Sequence, residues 1–131
     1  MDMLDSPPSK RGPFSNHLNF DVNLNHKKVI TTLKVEEFHL NNKGIVHGGV
    51  MASMMDNVIG DSIAMAVNCP VITISLTINY LAPVKLGALL TATGEIIQQG
   101  YKIATAEGFI KDQEGQLVAK GVATFKIIRS K

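Results

Sequence analysis

The sequence predicts an α+β fold in which one long helix is wrapped by a strongly curved antiparallel β-sheet of about five to six strands. Only the stretch from Gly49 to Asn68 holds a sustained helical period, whereas nearly every other segment from residue 18 onward alternates or reads as extended. One helix cannot cover both faces of a flat six-stranded sheet, so the sheet has to bend around it.

In chain order, residues 1–13, with Pro7, Pro8, Gly12 and Pro13, read as a flexible leader, and residues 14–131 form one domain. Extended segments from Leu18 to Leu24 and from Lys28 to Glu37 flank a hairpin turn at Asn25-His26-Lys27. The second of them sets Val29, Thr31, Leu33 and Val35 against Ile30, Thr32, Lys34 and Glu36, which is period two. Asn41, Asn42 and Gly44 interrupt the chain before a glycine pair. From there Met51, Met54, Met55, Val58, Ile59, Ile63 and Val67 recur at three- and four-residue steps and make one wide apolar stripe. Pro70 disfavours helical geometry in the residue before it and ends the helix.

Four strands follow. Val71 to Leu81 alternates Ile72, Ile74, Leu76, Ile78 and Tyr80 with Thr73, Ser75, Thr77 and Asn79. Pro83 and Gly87 separate it from Ala88 to Gln98, Gln99-Gly100 turns into Tyr101 to Ile110, and the polar loop Lys111 to Gly115 leads to Gln116 to Ile128. The order is therefore two strands, one long helix, four strands, with no internal repeat.

Composition narrows the function. A net charge of +2, 5% aromatics and no Trp leave neither a phosphate-backbone footprint nor a base-stacking platform, so nucleic acid is excluded as a partner. A lone Cys69 suits a reducing compartment. The N-terminus lacks an apolar signal core and no run approaches membrane-spanning length. The expectation is a soluble, cytoplasmic protein with no membrane partner.

The chemistry concentrates in His47-Gly48-Gly49-Val50-Met51-Ala52-Ser53-Met54-Met55-Asp56. A bare glycine pair at a helix N-terminus exposes backbone N–H groups where the helix dipole is positive, which suits an oxyanion. Asp56 lies within roughly 20° of Ile63 on the helical wheel, at the margin of the apolar stripe, where a carboxylate loses water and serves as general base or nucleophile. Nine residues place His47 and Asp56 about 180° apart in azimuth and roughly 13 Å apart along the axis. A second copy of the protein then has to supply half of any joint site, and 131 residues leave little room for a private cleft.

Other chemistries find no support. Asp61 is about 140° from Asp56 and makes no dyad with it. His17, His26, His39 and His47 lack paired ligand spacing, so no metal is expected. Ser53, Ser62 and Ser75 lack a nucleophile-elbow pattern, and with no phosphate loop or dinucleotide fingerprint no cofactor is expected.

The combination Asn41-x-x-Gly44-x-x-His47-Gly48-Gly49, Asp56 nine residues after the histidine, the strand Thr73 to Tyr80 running on as Leu81-Ala82-Pro83-Val84-Lys85-Leu86-Gly87, and Gln99-Gly100 before the last hairpin resembles the hotdog-fold acyl-CoA thioesterases of the phenylacetate-pathway type. The resemblance spans roughly residues 14–129. It implies hydrolysis of acyl-CoA thioesters in a homodimer at minimum and commonly a homotetramer, with the site between protomers. The Gly48 N–H then polarises the thioester carbonyl, Asp56 of the other chain attacks it or activates water, Asn41 holds water or substrate, His47 orders the loop, and Thr73 assists the water. Gly49, Tyr80, Lys85, Gly100, Tyr101 and Lys102 match positions that contact the substrate and its coenzyme A portion. Relatives often carry Lys directly after the turn glycine, where this chain has Tyr101 and then Lys102. The alternatives are a non-catalytic acyl-CoA or acyl-carrier binder and, within the same fold, a hydratase or dehydratase; a half-buried carboxylate beside a thioester disfavours the binder.

Overall fold

A computed structural model describes residues 12–130. The elements are α1 (Pro13–His17), β1 (Asp21–Asn25), β2 (Lys28–Lys34), a 3₁₀ turn (Glu37–His39), α2 (Gly48–Val67), β3 (Val71–Tyr80), β4 (Leu89–Gln99), β5 (Ile103–Lys111) and β6 (Leu117–Ile127). All six strands form one antiparallel sheet in the order β1-β2-β4-β5-β6-β3. Helix α2 packs against β2 through β6, which is the wrapped-helix arrangement the sequence predicts.

The expected apolar stripe is the one that is buried. Met54, Met55, Val58, Ile59 and Ile63 are fully covered, and Val29, Thr31, Leu33 and Val35 face them from β2 and the residues after it. The helix ends at Asn68, which takes a left-handed conformation (φ 53°). The β1–β2 hairpin turns through His26 and Lys27, both with positive φ, the geometry of a two-residue type I′ turn.

The flexible leader lies outside the described residues for positions 1–11. Gly12 and Pro13 belong to the ordered chain, as cap and first residue of α1; a proline there gives up an N–H that the helix has no acceptor for. Helix α1 is anchored by Asn57, whose Nδ2 donates to Ser15 Oγ at 2.7 Å. The second extended segment stops at Lys34 rather than Glu37, because Glu36 caps the 3₁₀ turn and its N–H donates to His39 Nδ1 at 2.9 Å.

On composition and length alone α2 is long and apolar enough to cross a membrane, with a mean hydropathy of 1.2, which corrects the expectation that no run approaches that length. The physical reason is its stripe of core residues: half of its most apolar window is buried by the sheet.

Helix and sheet approach closely because three glycines lie side by side across the sheet, Gly94 on β4 opposite Gly108 on β5, itself opposite Gly121 on β6. A Cβ on Gly94 would sit 3.0 Å from Ser62 Oγ, and one on Gly108 3.0 Å from Ile59 Cδ1 and against Met55 Sδ. Side chains in this row would hold α2 away from the sheet.

Candidate active site

Among the described residues, strand β3 lies at the edge of the sheet and pairs only with β6, leaving ten residues with an open hydrogen-bonding edge. Perfect alternation in the sequence puts Ile72 and Ile74 on one face with Leu76, Ile78 and Tyr80. A β-bulge between Thr73 and Ser75 breaks that parity. Thr73 sits opposite buried Phe125, and Leu76 opposite buried Ala123, so residues before and after the bulge face the helix with opposite numbering parity. Ile72 and Ile74 are turned outward and are more than half exposed.

The bulge brings Thr73 to the helix, where its hydroxyl donates to Asp56 Oδ1 at 2.8 Å. Asp56 is half-buried, at the margin of the stripe as its wheel position predicts. One carboxylate oxygen is thus held by Thr73, which fixes the direction of the other.

At the opposite end of β3, the Tyr80 hydroxyl donates to the Gly48 carbonyl at 2.7 Å. A Cβ on Gly48 would lie 3.1 Å from the Tyr80 ring, so only glycine fits without displacing it. The Gly49 N–H donates to His47 Nδ1 at 2.8 Å, which makes His47 the helix N-cap and leaves its proton on Nε2. The Gly48 N–H, first in the helix, has no acceptor within α2. Of the two glycine amides, the one assigned to the oxyanion is the one the cap leaves open, whereas Gly49 supports the loop.

Asn41 also has a structural task. Its Oδ1 accepts from the Lys43 N–H at 2.8 Å and the Ile45 N–H at 3.3 Å, closing the turn in which Gly44 has φ 77°. The loop is backed by His39, a fully buried histidine: its Nε2 bonds the Leu18 carbonyl at 2.7 Å, and its own carbonyl accepts from the His47 N–H at 2.8 Å. Sequence reading weighed His39 only as a metal ligand and missed this anchor. Among the described residues no group of three or more His, Cys, Asp or Glu side chains is placed to hold a metal ion.

Two clusters result. Asn41, His47, Gly48, Gly49 and Tyr80 gather at the start of α2, with Lys85 on a segment that pairs with Ile45 of the same loop. Asp56 and Thr73 meet about 12 Å further along α2. Gly100, Tyr101 and Lys102 form the β4–β5 turn, next to the end of β6 that pairs with Val71. Within one chain, Gly48 and Asp56 are anchored by opposite ends of β3, seven residues and roughly 23 Å of strand apart.

The thioesterase superfamily profile matches residues 43–119. The chain is 35% identical over 100 residues to acyl-coenzyme A thioesterase 13 of Homo sapiens, covering 72% of this chain and 69% of that one. It is similar in structure to a hypothetical thioesterase protein of Streptococcus pneumoniae solved with coenzyme A (29% identity, TM-score 0.78, 86% and 88% coverage). A Streptococcus mutans protein solved with acetyl-CoA is equally similar in fold (28% identity, TM-score 0.78, 86% and 91% coverage). The matched range takes in positions 48, 49, 56 and 73, and the chain belongs to the thioesterase superfamily.

Proposed function

We propose that this protein hydrolyses acyl-CoA thioesters to a free acid and coenzyme A at a site shared by two protomers. The carrying observation is the placement of an uncapped helix N–H and a Thr73-held carboxylate at opposite ends of one strand whose outer edge is open. A two-fold axis through the middle of β3 pairs this edge antiparallel with its copy. The Tyr80 end of one protomer then meets the Val71 end of the other, which carries Gly48 of one chain toward Asp56 of its partner. The two ligand-bound streptococcal structures support coenzyme A thioesters as the substrate class.

In such a site the thioester oxygen accepts from the Gly48 N–H, while the free oxygen of Asp56 attacks the carbonyl or takes a proton from the water that attacks it. The tetrahedral oxyanion collapses, the carbon–sulfur bond breaks, and the thiolate leaves to be protonated; on the water route this gives the free acid at once, whereas on the route of direct attack it leaves an acyl anhydride on Asp56, which a water then hydrolyses to the free acid and the regenerated carboxylate. An oxyanion donor contributes about 3 kcal/mol and a positioned base about 10²–10⁴-fold. The residues present supply both, so no resident cofactor or metal is part of the proposal. Association of two such dimers into a tetramer is part of the proposal on the strength of the resemblance, and the free thiol of Cys69 favours a cytoplasmic location.

The test is free-thiol release from a panel of aliphatic and aromatic acyl-CoAs by the wild type and by Asp56→Asn. We expect the substitution to lower kcat by about 10²–10⁴-fold with the melting temperature nearly unchanged. Equal rates for the two proteins would remove Asp56 from the chemistry, and binding without turnover by the wild type would establish the non-catalytic reading.

A further inference from the structure

Among the described residues His39 is the one fully buried ionisable side chain, and the proposed reaction gives it no task. Its ring spans two backbone groups. The Glu36 N–H donates to Nδ1 at 2.9 Å, which leaves the ring proton on Nε2, and Nε2 donates to the Leu18 carbonyl at 2.7 Å. Leu18 is the C-cap of α1, a position whose carbonyl has no partner within the helix, so the ring supplies the donor it lacks.

The backbone of the same residue reaches the other way. The His39 carbonyl accepts from the His47 N–H at 2.8 Å, and the His47 carbonyl accepts from the Val50 N–H at 2.9 Å. Both peptide groups that flank His47 are therefore held. A peptide is planar and trans, so fixing the His47 carbonyl aims the Gly48 N–H in the opposite direction. The loop between the two histidines is closed by the Asn41 N–H donating to the Ile45 carbonyl at 2.7 Å, and it is tied to the next segment by the Val46 N–H donating to the Val84 carbonyl at 2.8 Å.

We infer that His39 is a positioning residue for hydrolysis, bracing the loop that presents the Gly48 N–H against the segment from α1 to Phe20 through its Nε2 tether to Leu18. The inference rests on the reading of Gly48 as oxyanion donor given above. The far support of the brace is itself fixed: Ser15 in α1 accepts from Asn57 of α2 at 2.7 Å, and Phe20, two residues beyond Leu18, is buried in the core. Leu18 thus does not follow the ring when the loop moves. An oxyanion donor works by being aimed before the charge develops, and a misplacement of about 1 Å costs about 10²-fold in rate, so a small loosening of the loop is enough to register.

Asparagine and glutamine separate the two ring nitrogens. The Asn amide oxygen takes the place of Nδ1 and the Gln amide nitrogen that of Nε2, so His39→Asn keeps the Glu36 contact and drops Leu18, and His39→Gln does the reverse. We expect His39→Asn to lower kcat for acyl-CoA about tenfold with KM within about twofold, and His39→Gln to retain kcat within about threefold of the wild type. Rates are compared at a temperature where thermal melting shows both variants fully folded. Equal losses in the two variants, or the larger loss in His39→Gln, overturn the inference, because the tether then adds nothing beyond packing and the 3₁₀ cap.

Amide hydrogen exchange reads the loop itself and needs no turnover. Faster exchange across residues 40–50 in His39→Asn than in His39→Gln supports the brace, and equal exchange overturns it. Ser15→Ala frees α1 from Asn57 without touching the core, and so stays informative where replacing a buried ring prevents folding. It should lower kcat about threefold and speed exchange in the same loop, and wild-type values for both overturn the inference. A wild type that does not hydrolyse acyl-CoA counts against the function proposed above, while the exchange contrast still decides whether His39 holds the loop.

Discussion

Tyr80 illustrates how one residue changes meaning once its partners are known. By resemblance it belongs among the groups that contact coenzyme A. In the structure its hydroxyl is committed to the Gly48 carbonyl and its ring occupies the space where a Cβ of residue 48 would be. Tyr80 therefore positions the first turn of α2, and in the proposed reaction its effect passes through Gly48. Tyr80→Phe keeps the ring and removes the hydrogen bond, worth about 1 kcal/mol, so we expect kcat to fall about fivefold with KM within about twofold. Steady-state kinetics with thermal melting checks this: a selective rise in KM would return Tyr80 to direct substrate contact, and a loss of stability matching the loss of rate would make its role structural. Asn41 departs from expectation similarly, since its carbonyl closes the Asn41–Gly44 turn; nothing in the order of residues shows whether a polar side chain turns toward its own loop or toward a ligand.

At the scale of elements, what was legible follows from local periodicity. Helix α2 and the inward face of β2 are amphipathic repeats long enough to declare both type and orientation, and they are buried on the faces the pattern indicates. The bulge in β3 is invisible for the opposite reason: Val71 to Tyr80 alternates without a break, and the parity change is imposed by the need to seat Thr73 on Asp56 while Leu76 and Ile78 still cover the core. Helix α1 hid behind a Gly-Pro pair that reads as punctuation. The glycine row is the sharpest case. Gly94, Gly108 and Gly121 are far apart in sequence and each resembles a weak point in a strand, until register aligns them beneath α2. Gly108→Ala would push a methyl into Met55 and to 3.0 Å from Ile59 Cδ1. Overpacking of this kind costs about 1–3 kcal/mol, so we expect calorimetry to record a melting temperature lower by roughly 5–10 °C, whereas an unchanged value would mean that the helix shifts freely on the sheet.

At the scale of the whole molecule, the fold separates Gly48 and Asp56, the two groups assigned to the proposed reaction, and an open edge strand lies between them. If the roles proposed for Gly48 and Asp56 hold, a monomer with this topology has an oxyanion donor with no base and a base with no oxyanion donor. Subunit mixing tests this directly. Asp56→Asn retains its Gly48 N–H, and Gly48→Ala, crowded by Tyr80, retains its carboxylate. Each homodimer has two defective sites. A mixed dimer has one site that takes Gly48 from the first variant and Asp56 from the second, and that site is intact, while its other site carries both defects. Random reassortment makes half of the dimers mixed, so activity should recover to about a quarter of the wild-type value after mixing, denaturation and refolding. Separate residual activities that merely add would place Gly48 and Asp56 in the same protomer's site. Light scattering on the same samples provides the second constraint, because a fully active monomer is incompatible with a shared site whatever the mixing result.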